Sequence, residues 1–263
     1  MQTIQSTIDH QGVLTLRMNR PEVHNAFDSA MIGELTQALK AAAKNEDVRV
    51  ITLTGNGSCF SAGADLNWMR SQVEASQEDN EKDALELARL MRTLNYLQKP
   101  TIARINGAAF GGGLGLVAAC DITIAVNSAM FGLTEARLGL APAVISPYVF
   151  RRIGESNARR YFMTAERFDA QQAQSIGLVQ QCVEESELDS AVDKVIGELL
   201  KGGPMAVTIC KQLVFAVAGH NRKSQKSTDE YTAGLIAGLR IMDEGQEGLA
   251  AFLEKRKPGW IDD

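Results

Sequence analysis

Apolar and polar residues alternate in the first twenty positions of the chain. The two alternating segments, residues 3–10 and 13–19, flank a Gln-Gly pair, which predicts a β-hairpin. Residues 30–45 then carry apolar side chains at helical spacing, and Asp28 or Ser29 can cap the start of that helix. The chain therefore begins with a predicted hairpin followed by an amphipathic helix.

Strand and helix patterns alternate in the next part of the chain. Residues 48–55 form an apolar run typical of a buried strand, and residues 56–66 form a loop rich in small side chains. A long amphipathic helix is predicted over residues 80–98 and ends before a Lys-Pro pair. Strands are predicted at residues 101–106 and 121–126. This alternation predicts an α/β fold.

The pattern changes near residue 184. Residues 131–149 read as an irregular segment, and from about residue 184 onward the chain reads almost entirely as helix. We therefore divide the chain into a strand-helix part, residues 1–183, and a helical C-terminal region, residues 184–263.

Composition narrows the classes of partner. The 263 residues carry a net charge of −5, and basic residues are scattered except at residues 254–257, which argues against a nucleic-acid surface or an anionic membrane surface. No apolar run reaches the roughly 18 residues of a membrane helix, and the first residues show no targeting pattern. We expect no nucleic-acid partner and no membrane.

The cysteines indicate a reducing compartment. The four cysteines show no CxxC spacing and have apolar neighbours in the sequence, which favours reduced, packed thiols in a cytoplasmic protein. The absence of a CxxC spacing also gives no sign of a metal site, and we expect no metal and no separate cofactor.

Residues 105–125, INGAAFGGGLGLVAACDITIA, contain the most informative loop. Gly113, Gly115 and Ala118 match the GxGxx[G/A] pattern of dinucleotide-binding loops, and Glu135 follows at about the spacing of a ribose-binding acid. However, about seven residues separate the preceding strand from Gly113, and about seven remain before the next strand. These spacings are too long for a tight turn and too short for a crossover helix, and no Gly-Lys-Ser/Thr follows for a phosphate loop.

Glycines at the start of a short buried helix also suit a carbonyl oxygen. A helix N-terminus presents unpaired N–H groups, and glycine lets a substrate approach them closely. The small-residue loop at residues 60–66 could supply a second donor. Two such N–H groups form an oxyanion hole, each contributing about 3–4 kcal/mol to the transition state. Two close-packed structural turns are the alternative reading.

Six segments resemble, in order and over essentially the whole chain, the motifs of the crotonase, or enoyl-CoA hydratase/isomerase, superfamily. They are NRPEVHNAF (19–27), GNGSCFSAGADL (55–66), INGAAFGGGLGLVAACDITIA (105–125), FGLTEARLGL (131–140), AQSIGLV (173–179) and FLEKRKPGW (252–260). The resemblance implies an α/β, crotonase-like spiral of strand-strand-helix turns. It also implies a helical C-terminal trimerisation region, with assembly as a homotrimer or homohexamer.

The same resemblance implies the site. Glu135 would act as acid or base, and the N–H groups of Ala64 and Gly112 would hold the thioester oxygen of an acyl-CoA, whose coenzyme A is part of the substrate. The resemblance implies that both His24 and Lys255 contact coenzyme A, although a turn role for His24 and a solvated surface charge for Lys255 are equally compatible with the sequence. The full predicted substrate-binding set is Val23, His24, Ala62, Ala64, Asp65, Leu66, Asn67, Gly111, Gly112, Phe252 and Lys255. For Asp65, a role in the structure of the loop and helix is favoured over substrate binding.

One expected acid is missing. Hydratases of this family use two glutamates, and the first falls on Gly115. A lone Glu135 by itself favours double-bond isomerisation, whereas the wider pattern favours hydration across the 2,3 double bond. Residues 132–154 and 158–179 look like those of bacterial hydratases for 3-methylglutaconyl-CoA and carboxygeranoyl-CoA. That group tolerates a non-acidic residue at the position of Gly115. A non-catalytic acyl-CoA-binding protein is the third alternative.

Overall fold

The computed structural model describes residues 2–261 and contains two β-sheets packed with helices. The strands are β1 (Ile4–Ile8), β2 (Val13–Met18), β3 (Val50–Gly55), β4 (Cys59–Ser61), β5 (Thr101–Ile105), β6 (Ala108–Phe110), β7 (Ile122–Val126), β8 (Met130–Gly132), β9 (Arg167–Asp169) and β10 (Gln181–Val183). The helices are α1 (Ser29–Lys44), α2 (Leu66–Glu74), α3 (Gln77–Asn95), α4 (Gly112–Ala119), α5 (Ser146–Thr164), α6 (Ala170–Ser175), α7 (Leu188–Lys201), α8 (Pro204–Val217), α9 (Arg222–Ile241) and α10 (Asp243–Glu254).

The chain winds as a spiral that adds one strand to each sheet per turn. The larger sheet has the order β1-β2-β3-β5-β7-β10, and the smaller one has the order β4-β6-β8-β9. Thus β3 is followed by β4, β5 by β6 and β7 by β8, with helices after each pair. All strand pairs are parallel except β1 with β2 and β8 with β9. The predicted spiral of strand-strand-helix turns, with helices at its C-terminal end, is confirmed.

Helix α4 runs through the middle of the core. Every residue from 113 to 119 is buried, as expected for a helix that is apolar on all sides. The core also takes in Leu188 and Ile196 of α7, so the first helix after residue 183 packs against the spiral. The division at residues 183 and 184 stays a prediction, and its terminal positions Met1, Asp262 and Asp263 lie outside the described residues.

Several local predictions can be compared with the structure. The hairpin is present, and Asp28 caps α1 by accepting a hydrogen bond from the Met31 N–H at 2.8 Å. Helix α3 begins at Gln77, three residues before the predicted start, because Ser76 caps it. The prediction of packed thiols is wrong for Cys210, which is exposed, although none of the four cysteines forms a disulfide.

Within residues 2–261, no helix combines the length and the apolar character that crossing a bilayer requires.

Candidate active site

Two neighbouring parallel strands end at the candidate site. Strand β4 leads into the loop that precedes α2, and β6 leads into Gly111 and the start of α4. Because β4 and β6 pair in parallel, with Cys59 opposite Ala108, their carboxyl ends lie at the same edge of the sheet. The two small-residue loops singled out in the sequence therefore meet.

Each loop presents a backbone N–H that has no protein acceptor. Around Ala64, the Phe27 N–H donates to the Gly63 carbonyl at 2.6 Å and the Asp65 N–H donates to the Phe27 carbonyl at 2.7 Å. The Ala64 N–H, and that of Gly112 at the first turn of α4, donate to no group within residues 2–261. Ala64 and Gly112 line one cavity of about 560 Å³. The arrangement is suited to holding an oxyanion.

The glycines at this point are required by close contacts. A Cβ on Gly112 would lie 2.7 Å from the Phe27 ring, and one on Gly111 would lie 3.2 Å from the Glu135 Oε1 atom. Gly111 also has a φ of +47°, which side-chain-bearing residues rarely adopt. The Glu135 carboxylate therefore lies directly beside the glycine that precedes the Gly112 donor.

Glu135 begins a single 3-10 turn, Glu135–Leu138, after β8. Helix α10 packs on that turn at close range: a Cβ on Gly248 would lie 2.3 Å from the Leu138 carbonyl oxygen, and one on Gly139 would lie 2.4 Å from the Glu244 carbonyl oxygen. The turn is thus held from outside by the C-terminal region.

The Glu135 carboxyl is buried and has an unused oxygen. Its Oε2 atom has no hydrogen-bond partner among residues 2–261. Burial, only partly opposed by a hydrogen bond from its own backbone N–H, raises the pKa of Glu135 from 4.5 to about 7. A carboxyl with such a pKa exists in both protonation states near neutral pH, which suits a group that takes and returns a proton.

The position of the missing acid is filled by hydrocarbon. A Cβ on Gly115 would lie 2.3 Å from Cγ2 of Ile145, 2.9 Å from Cβ of Ile145 and 3.2 Å from Cε of Met91. These contacts leave no room for a glutamate without moving its neighbours. The site thus has Glu135 as its carboxylate beside the two N–H donors.

The structure brings some of the predicted binding residues to the cavity. Ala62 and Phe252 line it together with Ala64, Gly111 and Gly112. Phe252 belongs to α10 of the same chain, so its contact with the cavity needs no second subunit.

Asp65 has a structural role in this chain. Its carboxylate accepts from the Asn67 N–H at 2.8 Å and the Trp68 N–H at 3.3 Å, which caps α2, and it pairs with Arg20 at 2.9 Å. Asp65 is only 5% exposed, and it is not among the residues that line the cavity.

The remaining predicted residues lie outside the cavity wall. The His24 side chain is exposed, although its carbonyl accepts a hydrogen bond from the Ala62 N–H at 2.9 Å. Leu66 and Asn67 are exposed at the start of α2, and Lys255 is exposed at the end of α10. These residues and Val23 do not line the cavity, so their contact with coenzyme A stays a prediction.

Two polar cavity residues escaped the sequence analysis. Gln72 on α2 is 3% exposed and Arg240 on α9 is 8% exposed, and both line the cavity. The only sequence signal for Arg240 is a charged residue at the end of a helix rich in small residues, which also describes a solvated helix end.

Known proteins resemble this chain over almost its whole length. The family model for enoyl-CoA hydratase/isomerase matches residues 9–263. A crystal structure of an enoyl-CoA hydratase from Shewanella pealeana is 45% identical, with a TM-score of 0.80 and coverage of 98% of this chain and 96% of that one.

Two curated relatives match over most of their length. Crotonyl-CoA hydratase from Syntrophomonas wolfei is 34% identical, covering 95% of each chain. The 2,3-dehydroadipyl-CoA hydratase of Escherichia coli is 32% identical, covering 94% of each. With the spiral fold, the paired N–H donors and the buried glutamate in place, these matches show that the chain is an enzyme of the enoyl-CoA hydratase/isomerase family.

Proposed function

We propose that this enzyme is an enoyl-CoA hydratase that adds water across the 2,3 double bond of an acyl-CoA thioester. The observation that carries the proposal is the Glu135 carboxyl, which is buried, has an unused oxygen and lies beside the Gly112 donor. Its pKa of about 7 suits proton transfer at neutral pH. Two of the relatives above are named as hydratases of particular enoyl-CoA esters.

In the proposed reaction, the thioester oxygen accepts hydrogen bonds from the N–H groups of Ala64 and Gly112. The Glu135 carboxylate takes a proton from water while the water oxygen bonds to C3, and the electrons of the double bond move onto the thioester oxygen as an enolate. The enolate then re-forms the carbonyl, and C2 takes the proton from the Glu135 carboxyl. Water is added, and Glu135 returns to its starting state.

One carboxyl must do both proton transfers in this scheme. The apolar contacts of Ile145 and Met91 at Gly115 support that requirement, because they crowd the first side-chain atom that a second acid would need at this position. A pKa near the working pH keeps Glu135 competent in both directions.

The apolar packing at Gly115 also favours a second candidate function, double-bond isomerisation. One carboxylate can remove a proton from C4 and return it to C2, or the reverse, with the enolate held by the same two donors and without water. This reaction needs no second carboxylate, so the apolar packing at Gly115 would not hinder it.

We further propose a branched, carboxylated acyl group such as 3-methylglutaconyl-CoA, as in leucine breakdown. The match to a relative named for dehydroadipyl-CoA, an ester with a second carboxyl group, supports a carboxylated chain. Residues 62–67 and the neighbourhood of His24 and Phe252 are the proposed coenzyme A contacts.

We also propose a cytoplasmic homotrimer or homohexamer. Helix α8 has no buried residue, and an apolar surface of this kind is common where subunits meet. Its exposed large apolar side chains are Met205, Ile209, Leu213, Val214 and Val217. Light scattering on the purified protein measures the assembly directly.

The purified enzyme is incubated with 3-methylglutaconyl-CoA, crotonyl-CoA and a 3-enoyl-CoA in heavy-oxygen water, and products are followed by mass spectrometry. Heavy oxygen in the product, fastest with the glutaconyl ester, is the expected result. Double-bond migration without oxygen uptake would make the enzyme an isomerase. Tight ester binding with no turnover of any substrate would support the non-catalytic alternative.

A further inference from the structure

The wall of the active-site cavity contains a buried arginine with an unused edge. Arg240 donates through Nη1 to the Asn80 carbonyl at 3.4 Å and to the Asn80 Oδ1 atom at 3.3 Å. Its Nε atom is buried without a partner, and its Nη2 atom makes no hydrogen bond within residues 2–261. The Nε and Nη2 groups form the side of the guanidinium that binds a carboxylate through two parallel hydrogen bonds.

Arg240 also lacks a counter-ion. No carboxylate in residues 2–261 lies within ion-pair distance of it; Asp83 is near enough to act on its charge, but the Asp83 Oδ2 atom accepts from Trp68 Nε1 at 3.1 Å. Burial lowers the pKa of Arg240 to about 10, so the side chain stays charged at neutral pH. A buried charge outside an ion pair is costly to maintain, and such a group in a cleft is a candidate for a functional role.

A second unused donor lies in the same wall. The Nε2 atom of Gln72 is buried and has no hydrogen-bond partner in the described part of the chain. Asn80 links the two residues, because its Nδ2 atom donates to the Gln72 carbonyl at 3.0 Å while its oxygens accept from Arg240. The backbone of Gln72 and the guanidinium are therefore held to the same side chain.

The other arginines of the cavity differ from Arg240. Arg137, Arg167 and Arg256 are exposed. Arg256 is paired with Glu247 at 2.6 Å, and Arg167 lies over the Phe110 ring at 5.0 Å. The same cavity is also lined by the apolar side chains of Met69, Leu87 and Ile236.

We propose that Arg240 and Gln72 bind a carboxylate at the far end of the acyl group and thereby make this enzyme selective for acyl-CoA esters of dicarboxylic acids. The inference rests on the proposed acyl-CoA site and specifies its substrate class. The carboxylate would take the two N–H bonds of the Arg240 side edge and one from the Gln72 amide. An uncharged chain of similar length would leave all of these donors unpaired, which the site penalises.

The test measures binding, so that it does not depend on turnover. Glutaryl-CoA, butyryl-CoA and the terminal amide of glutaryl-CoA are saturated and cannot be hydrated, and their dissociation constants are measured by calorimetry. We expect the wild type to bind glutaryl-CoA about 10- to 100-fold more tightly than the two uncharged esters, the range for hydrogen bonds to a charged group.

Three variants separate selectivity from folding. Arg240→Gln should remove most of the preference for glutaryl-CoA, and Gln72→Leu should remove a smaller part of it, with butyryl-CoA binding changed little. Arg167→Gln is the matched control, because it removes an exposed arginine of the same cavity and should leave the preference intact. Circular dichroism and thermal unfolding check each variant, and Gln72→Leu carries the test if Arg240→Gln does not fold.

The outcomes distinguish this inference from the proposed reaction. A wild type without preference for glutaryl-CoA, or a preference abolished by Arg167→Gln and kept by Arg240→Gln, overturns the inference even if crotonyl-CoA is hydrated. Equal loss of all three esters in Arg240→Gln assigns Arg240 to structure or to coenzyme A and also overturns it. Loss of preference in Arg240→Gln alone supports it even if the enzyme proves to be an isomerase.

Discussion

The surroundings of Glu135 and of Gly115 differ sharply, although the family resemblance assigns a glutamate to both positions. The Glu135 carboxyl is desolvated, has an unused oxygen within the described chain and lies beside Gly111, which precedes the Gly112 donor. Gly115 lies in the second turn of α4 against Ile145 and Met91, with no space for a side chain. Apolar packing therefore closes the position of one acid, and the proposed chemistry relies on Glu135 alone to carry the proton.

The largest effect should come from Glu135→Gln, which keeps the shape of the side chain and removes its proton chemistry. We expect kcat to fall between about 10²- and 10⁴-fold, with ester binding and the unfolding temperature little changed. Steady-state kinetics and calorimetry measure both quantities. Full activity in this variant would mean that another group carries the proton.

Removal of one oxyanion donor should have the next largest effect. Ala64→Pro removes the backbone N–H and should lower kcat about 10²- to 10³-fold, measured on protein with an unchanged circular dichroism spectrum. Ala64→Ser is the control, because it retains the N–H and adds only a small side chain. If both variants lose activity equally, steric crowding rather than the lost donor is responsible.

A side chain at Gly115 tests the packing directly. Gly115→Glu should destabilise the protein by about 1–3 kcal/mol and should not raise the hydration rate, because the new carboxylate has no polar space. Chemical denaturation gives the free energy of unfolding. In the background of Ile145→Ala, which removes the nearest methyl group, Gly115→Ala should cost less than it does alone; equal costs would show that Ile145 does not close the space.

The smallest effect is the pH dependence of the one-acid site. With the pKa of Glu135 raised to about 7 by burial, its base form is lost as pH falls through 7. We expect kcat/KM to drop about tenfold per pH unit below that value, and the drop should be absent from the residual activity of Glu135→Gln. A flat profile between pH 5 and 7 would contradict the raised pKa.

Elements of five residues or more were often predictable from sequence, whereas the three-residue strands were not. Helix α1 and strand β3 have enough residues to show their periodicity, and Asp28 identifies a helix start. The strands of the smaller sheet have three residues each, which is too few for alternation to be recognised. Helix α2 was missed for a related reason, since its cap at Asp65 lies inside a loop of small residues.

The site could be predicted only where local sequence positions it. Glu135, Ala64 and Gly112 each follow a short strand. They lie within recognisable sequence motifs, so their places in the site could be predicted from those motifs. Gln72 on α2 and Arg240 on α9 line the same cavity because Asn80 on α3 hydrogen-bonds to both residues. These three residues are too far apart in the chain for a local pattern to predict the contact. The apolar filling of Gly115 depends likewise on Ile145, thirty positions later.

The close packing of α10 on the turn Glu135–Leu138 also has a consequence during protein synthesis. Gly248 can approach the Leu138 carbonyl only after α10 has been translated, long after the ribosome has made Glu135 and the two oxyanion donors. We expect the spiral core to form first on the nascent chain and the outer wall of the cavity to close last. Newly made enzyme should thus acquire its fold before it acquires a closed substrate site.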